Sequence, residues 1–178
     1  MPTLFLIPTP LGDLPPEAWS LPAQTARLHT VQHFVVEAAK TARKHLKQLD
    51  LATPLQQLAL CELNEHTVAG REVEELVKPL VEGRSAGVVS EAGVPGVADP
   101  GALVVEACHR HGIRVVPLVG PSSVILAVMA SGLNGQSFAF NGYLPVKPPE
   151  RVQAIRRFER RAHAEGQSQI GRASCRER

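Results

Sequence analysis

Apolar and polar positions follow two alternating patterns along the chain. Short runs rich in β-branched and other apolar residues occupy Thr3 to Ile7, His33 to Glu37, Leu58 to Leu63, Ala86 to Ser90 and Arg114 to Leu118. Runs of this length, bounded by turn residues, predict strands. Between them, Ala39 to Leu49, Val68 to Val81 and Gly101 to His111 place apolar residues about three and four apart, as on the core-facing side of a helix. Strand and helix in turn predict an α/β fold with a mostly parallel sheet covered on both faces. Ligands of such sheets sit outside the carboxyl ends of the strands, so the loops that follow strands are the places to look for chemistry.

Beyond Leu118 the pattern changes. An apolar helical stretch, Val124 to Ala130, is followed by a turn at Ser131 to Gly135, a strand over Ser137 to Leu144, and an amphipathic helix over Pro148 to Ala164. This predicts an N-terminal α/β domain over 1–118 and the start of a second α/β domain over 119–169. Residues Ile170 to Arg178 read as a sequencing adapter translated in frame, a non-native tail, so the natural chain is expected to run past Gln169 and the second domain to be truncated here. Without that tail, 19 basic and 17 acidic residues become 16 and 16, and the formal charge falls from +2 to zero. Bulk charge therefore gives no argument for a nucleic-acid partner.

Composition adds exclusions. The chain is 44% hydrophobic and 20% charged, and its apolar runs fall short of the roughly 18 residues of a membrane helix. The start lacks the basic leader of a signal peptide, so a cytoplasmic protein with no membrane association is expected. Cys61, Cys108 and Cys175 are far apart and show no metal-ligand spacing, so no metal is expected, and Cys61 and Cys108 read as small buried apolar residues.

Three loops carry candidate chemistry. Pro8, Thr9, Pro10 and Leu11 follow the first strand, with Gly12 after two stiffening prolines. Ser90, Glu91, Ala92, Gly93, Val94 and Pro95 begin a glycine- and proline-rich path to Gly101, in which Asp99 reads as a helix cap ahead of Pro100 at the first helical position. Gly120, Pro121, Ser122 and Ser123 precede the apolar helix. Neither a G-x-G-x-x-G fingerprint nor a phosphate-binding P-loop is present.

These loops, with Leu63-Asn64-Glu65-His66 and Ser131-Gly132-Leu133 followed by Phe138 to Pro145, resemble in order the motifs of the tetrapyrrole methylase family. The resemblance covers residues 3 to about 150. The most similar branch is that of small-subunit ribosomal RNA 2′-O-ribose methyltransferases, and within it a short bacterial subgroup. The resemblance implies two α/β domains, S-adenosylmethionine in the cleft between them, and a homodimer. Its cofactor contacts fall on Pro8 to Leu11, Ser90 to Pro95, Gly120 to Ser123, and the segment from Met129 to Leu133. Two positions depart from the branch, which carries aspartate and threonine where this chain has Glu91 and Val94. It also carries Glu-Asp-Thr-Arg where this chain reads Glu37-Ala38-Ala39-Lys40-Thr41-Ala42-Arg43.

Methyl transfer to a ribose hydroxyl needs alignment and a group to take the proton. Glu91 is the first candidate, as base or as contact to the cofactor amine, with Glu37 and Glu65 as alternatives at strand ends and His66 as a further proton acceptor. Lys40 and Arg43, with Lys44 and Lys47, form a basic helix face suited to RNA phosphates, and Asn64 and His66 join them as candidate substrate contacts. Two other readings stand beside ribosomal RNA methylation. One is methylation of a small molecule such as a tetrapyrrole. The other is an inactive truncated fragment.

Overall fold

The computed structural model describes residues 1–63 and 70–173. Five strands form one sheet: β1 (Thr3–Ile7), β2 (His33–Val36), β3 (Ala59–Glu62), β4 (Ala86–Val89) and β5 (Arg114–Pro117). Their order is β3-β2-β4-β1-β5, and every neighbouring pair is parallel. Parallel strands need crossovers. The short helix α1 (Pro22–Thr25), with a 3-10 turn on either side, fills the first, and α2 (Ala39–Leu46), α3 (Arg71–Val81) and α4 (Gly101–Arg110) fill the others.

The apolar pattern of each strand explains the layering. Leu4, Val35, Ala86 and Val88 point to one face and pack with Val73, Val77 and Leu80 of α3 and Val104, Ala107 and Cys108 of α4. Phe5, Ile7, Phe34, Val36 and Val89 point to the other, against Leu28, Ala42 and Leu46. Each fully buried side chain of this kind contributes about 1.5–3 kcal/mol. At the centre of β4, Gly87 leaves room for larger neighbours, since a Cβ there would lie 2.6 Å from Ile7 Cδ1 and 2.9 Å from Phe34 Cδ1. Cys108 is buried as expected, but Cys61 is exposed. It sits on β3 at the edge of the sheet.

The chain divides into two compact units, Met1–Ser122 and Ser123–Arg178. The second contains α5 (Ser123–Ser131), β6 (Phe138–Tyr143), α6 (Pro148–Glu165) and β7 (Ser168–Arg172). Strands β6 and β7 pair in parallel with α6 as their crossover. The sequence pattern contains no signal for β7, and Ile170, Gly171 and Arg172 of the excluded tail complete it. Backbone groups make this pairing: Leu144 N–H, for example, donates to the Arg172 carbonyl at 2.8 Å.

Candidate functional site

The carboxyl ends of β2, β4, β1 and β5 lie side by side in that order, so the loops leaving them share one edge of the first unit. Two of those loops are knitted by backbone. Thr9 and Gly93 form an antiparallel bridge, Thr9 N–H donating to the Gly93 carbonyl at 2.9 Å and Gly93 N–H to the Thr9 carbonyl at 3.1 Å. The side chains at the same junction close on themselves. Thr9 Oγ1 donates to the Ser90 carbonyl at 3.2 Å, and Ser90 Oγ donates to the Gly93 carbonyl at 2.9 Å. Both hydroxyl residues are buried, which such internal partners make tolerable.

The third loop is locked by close approach. A Cβ on Gly120 would fall 2.2 Å from both Cβ and Cγ of Pro8, and one on Gly93 would meet Leu11 Cδ2 at 3.1 Å and the Pro121 carbonyl oxygen at 3.2 Å. Gly93 also has φ +81°, a conformation that glycine adopts without steric cost. Pro8 to Leu11, Ser90 to Pro95, Gly120 and Pro121 thus form one rigid wall with a rim. Pro8, Thr9, Pro10, Gly93 and Pro95 are buried in it, Val94, Gly120, Pro121 and Ser122 are half-buried, and Leu11, Glu91 and Ala92 are exposed.

Asp99 is not the N-cap of the following helix, a position Pro100 takes; it closes the loop instead. Its carboxylate accepts from Gly96 N–H at 2.9 and 3.0 Å and from Gly101 N–H at 2.7 Å, closing the second half of the loop. Helix α4 begins at Gly101, so Pro100 precedes it rather than opening it. Burial pushes the Asp99 carboxyl above its ordinary pKa, against the pull of those two backbone donors. Ala98, beside it, is held at φ 58°.

Of the acidic candidates, Glu37 and Glu91 meet at the rim, where Glu91 N–H lies 3.5 Å from Glu37 Oε1. Glu65, Asn64 and His66 fall outside the described residues. Lys40 and Arg43 lie exposed on α2, while Lys44 reaches Asp13 at 3.2 Å. Sequence reasoning missed two neighbours of this corner. Glu62 accepts from Ala39 N–H at 2.9 Å, at the start of α2. His45 has a buried Nδ1 with no hydrogen-bond partner among the described residues. Its pKa is lowered, first by burial and then by Lys44, with Glu91 pulling the other way. The signal was present: His45 falls between Ala42 and Leu49 on the spacing that marks the buried side of α2.

Ser123, Met129 and Leu133 belong to the second unit, Ser123 opening α5 and both Met129 and Leu133 exposed. Among the described residues no helix is long and apolar enough to cross a membrane.

The five-stranded parallel sheet has the fold of the tetrapyrrole methylases, and in sequence and structure the chain matches that superfamily. A solved structure of the methyltransferase CobJ matches with a TM-score of 0.56 at 22% identity, over 91% of this chain and 63% of that one. The curated relatives are more particular. The ribosomal RNA small subunit methyltransferase I of Xylella fastidiosa (strain Temecula1 / ATCC 700964) is 40% identical over 152 residues, 84% of this chain and 51% of the relative. The proteins of the same name from Vibrio cholerae and Escherichia coli O157:H7 are 37% and 33% identical over 86% and 88% of this chain, and 50% and 51% of their own lengths. The chain spans about half the length of the curated relatives it matches. No family model matches it.

Proposed function

We propose that this chain is part of an S-adenosylmethionine-dependent methyltransferase that acts on a ribose 2′-hydroxyl of small-subunit ribosomal RNA. The observation that carries this reading is the 33–40% identity to proteins named for that RNA, over more than four-fifths of the chain. The strand-end wall supports it independently. The hydroxyls of Thr9 and Ser90 and the glycines Gly93 and Gly120 hold three loops together, and the rim presents an apolar Leu11, the half-buried Pro121, backbone groups and the carboxylates of Glu91 and Glu37. That mixture suits a ligand with an apolar adenosine body and a polar amino-acid end.

S-adenosylmethionine, when bound, supplies an electrophilic methyl on a sulfonium. The residues that would hold it are Pro8 to Leu11, Ser90 to Pro95 and Gly120 to Ser122 in the first unit, with Ser123 and the Met129 to Leu133 segment from the second. Glu91 is the residue assigned to the proton of the ribose hydroxyl or to the amine of the cofactor, and Glu37 is its alternative, each resting on a strand-end position. Lys40 and Arg43 are assigned to RNA phosphate. A homodimer is part of the same proposal.

The test is transfer of labelled methyl from S-adenosylmethionine to small ribosomal subunits by the protein in its full natural length, with S-adenosylhomocysteine binding followed by calorimetry. Label recovered in a ribose supports the reading. Binding without label moves the substrate to another class, such as a tetrapyrrole. Neither label nor binding overturns it.

A further inference from the structure

Helix α6 carries charge that the strand-end site does not use. Arg156 and Arg157 lie four and three residues before Arg160 on it and, with Gln153, Pro145 and Glu150, line an open groove of about 500 Å³. Two ion pairs lie on the same segment: Lys147, just before the helix, pairs with Glu150 at 3.5 Å, and Arg161 with Glu165 at 3.4 Å. The three groove arginines are different. Among the described residues Arg156 and Arg160 have no carboxylate within ion-pair distance, and the contact of Arg157 is with the ring of Phe158, at 5.4 Å. Guanidinium groups spaced along one helix face, unpaired and in the open, make a multivalent anion site rather than a stabilising network.

We propose that this groove is a docking surface for the phosphate backbone of RNA. A small anion is held best by a closed pocket with converging donors, whereas this groove is open and lined by three guanidinium groups. A chain of phosphates offers several anions to such a surface at once, and Arg is the residue best able to hold a phosphate by two hydrogen bonds. The inference rests on the reading that the substrate is RNA, and it adds a contact surface within the second unit to the basic face assigned to α2.

The experiment is anisotropy of a fluorescein-labelled RNA hairpin titrated with the 178-residue chain across a salt series, alongside a triple variant, R156Q/R157Q/R160Q. The wild-type chain is expected to bind with an affinity that falls steeply with salt. The variant should bind more than about tenfold more weakly at low salt, with a log–log salt slope shallower by about 2–3, the signature of three lost phosphate contacts. A second variant with lysine at all three positions should recover most of that slope. All three side chains are exposed, so an unchanged thermal transition should accompany the change. Equal affinity and slope in the glutamine variant, or no hairpin binding by the wild-type chain at low salt, overturns the proposal. S-adenosylhomocysteine binding is independent of this groove, so its presence or absence tests the methyltransferase reading separately.

Discussion

Gly120 sits so close to Pro8 that a methyl group on it would overlap two atoms of the pyrrolidine ring at 2.2 Å. The ring cannot rotate away, because proline fixes its own backbone angle. Gly120→Ala must therefore move one of the two loops. A destabilisation of about 1–3 kcal/mol is expected from such overpacking. Urea denaturation measures it, and a parallel loss of S-adenosylhomocysteine affinity would place the cost at the wall assigned to the cofactor.

Ala98 offers the opposite experiment. Its φ of 58° puts a Cβ where only glycine is at ease. Ala98→Gly removes a left-handed penalty of about 1–2 kcal/mol and adds unfolded-chain freedom costing somewhat less. The expected result is a gain of about 0.5–1 kcal/mol, read as a higher urea midpoint at unchanged slope. A loss of stability would show that the segment from Gly96 to Gly101 is not strained at this residue.

The imidazole of His45 should report on Glu91. Burial, then Lys44, lowers its pKa, while Glu91 raises it. Glu91→Gln is expected to lower it further, as seen in the ring-proton NMR titration of His45. The sign for stability follows. With its folded pKa below the ordinary imidazole value, the unfolded chain takes up the proton first as pH falls. Stability should drop through the window from the ordinary value down to the lowered one. His33 adds to the same drop, since burial and Arg84 lower its pKa too. His45→Gln should flatten part of the profile.

Thiol labelling separates two cysteines. Burial pushes the Cys108 thiol up to about 11, so at pH near 8 it is both protonated and enclosed. Cys61 is exposed. In a Cys175→Ser background, one thiol should react with a disulfide reagent at once and the second only on unfolding. Two fast thiols would mean that α4 does not pack against the sheet as described.

The parallel sheet was legible because its central strands β2, β4 and β1 are largely buried on both faces and so read as short unbroken apolar runs, with the half-exposed edge strands β3 and β5 carrying shorter ones. Each expected strand over residues 3–118 appears within one or two residues of its expected limits, and the second-unit strand over Ser137 to Leu144 appears as β6. The segment from Pro16 to Leu28 was not legible. It consists of turns of three and four residues, too short to show any period. Strand β7 was missed for another reason: Ser168 to Arg172 has little apolar pattern and is held by backbone pairing with β6. At the candidate site, residue types marked the loops, but nothing in the sequence states that Thr9 pairs with Gly93 or that Gly120 reaches Pro8. Those contacts join positions more than 80 residues apart, and they exist because β4 and β5 flank β1.

The bridge between Thr9 and Gly93 fixes how these loops can diverge. It lies two residues beyond the end of β1 and four beyond the end of β4, and both ends are pinned by the register of neighbouring parallel strands. Adding or deleting one residue on either side would turn Thr9 or Gly93 out of the pairing and expose two backbone groups that the interior cannot satisfy. This wall therefore tolerates exchange of rim side chains such as Glu91 far better than any change in the number of residues between strand end and bridge.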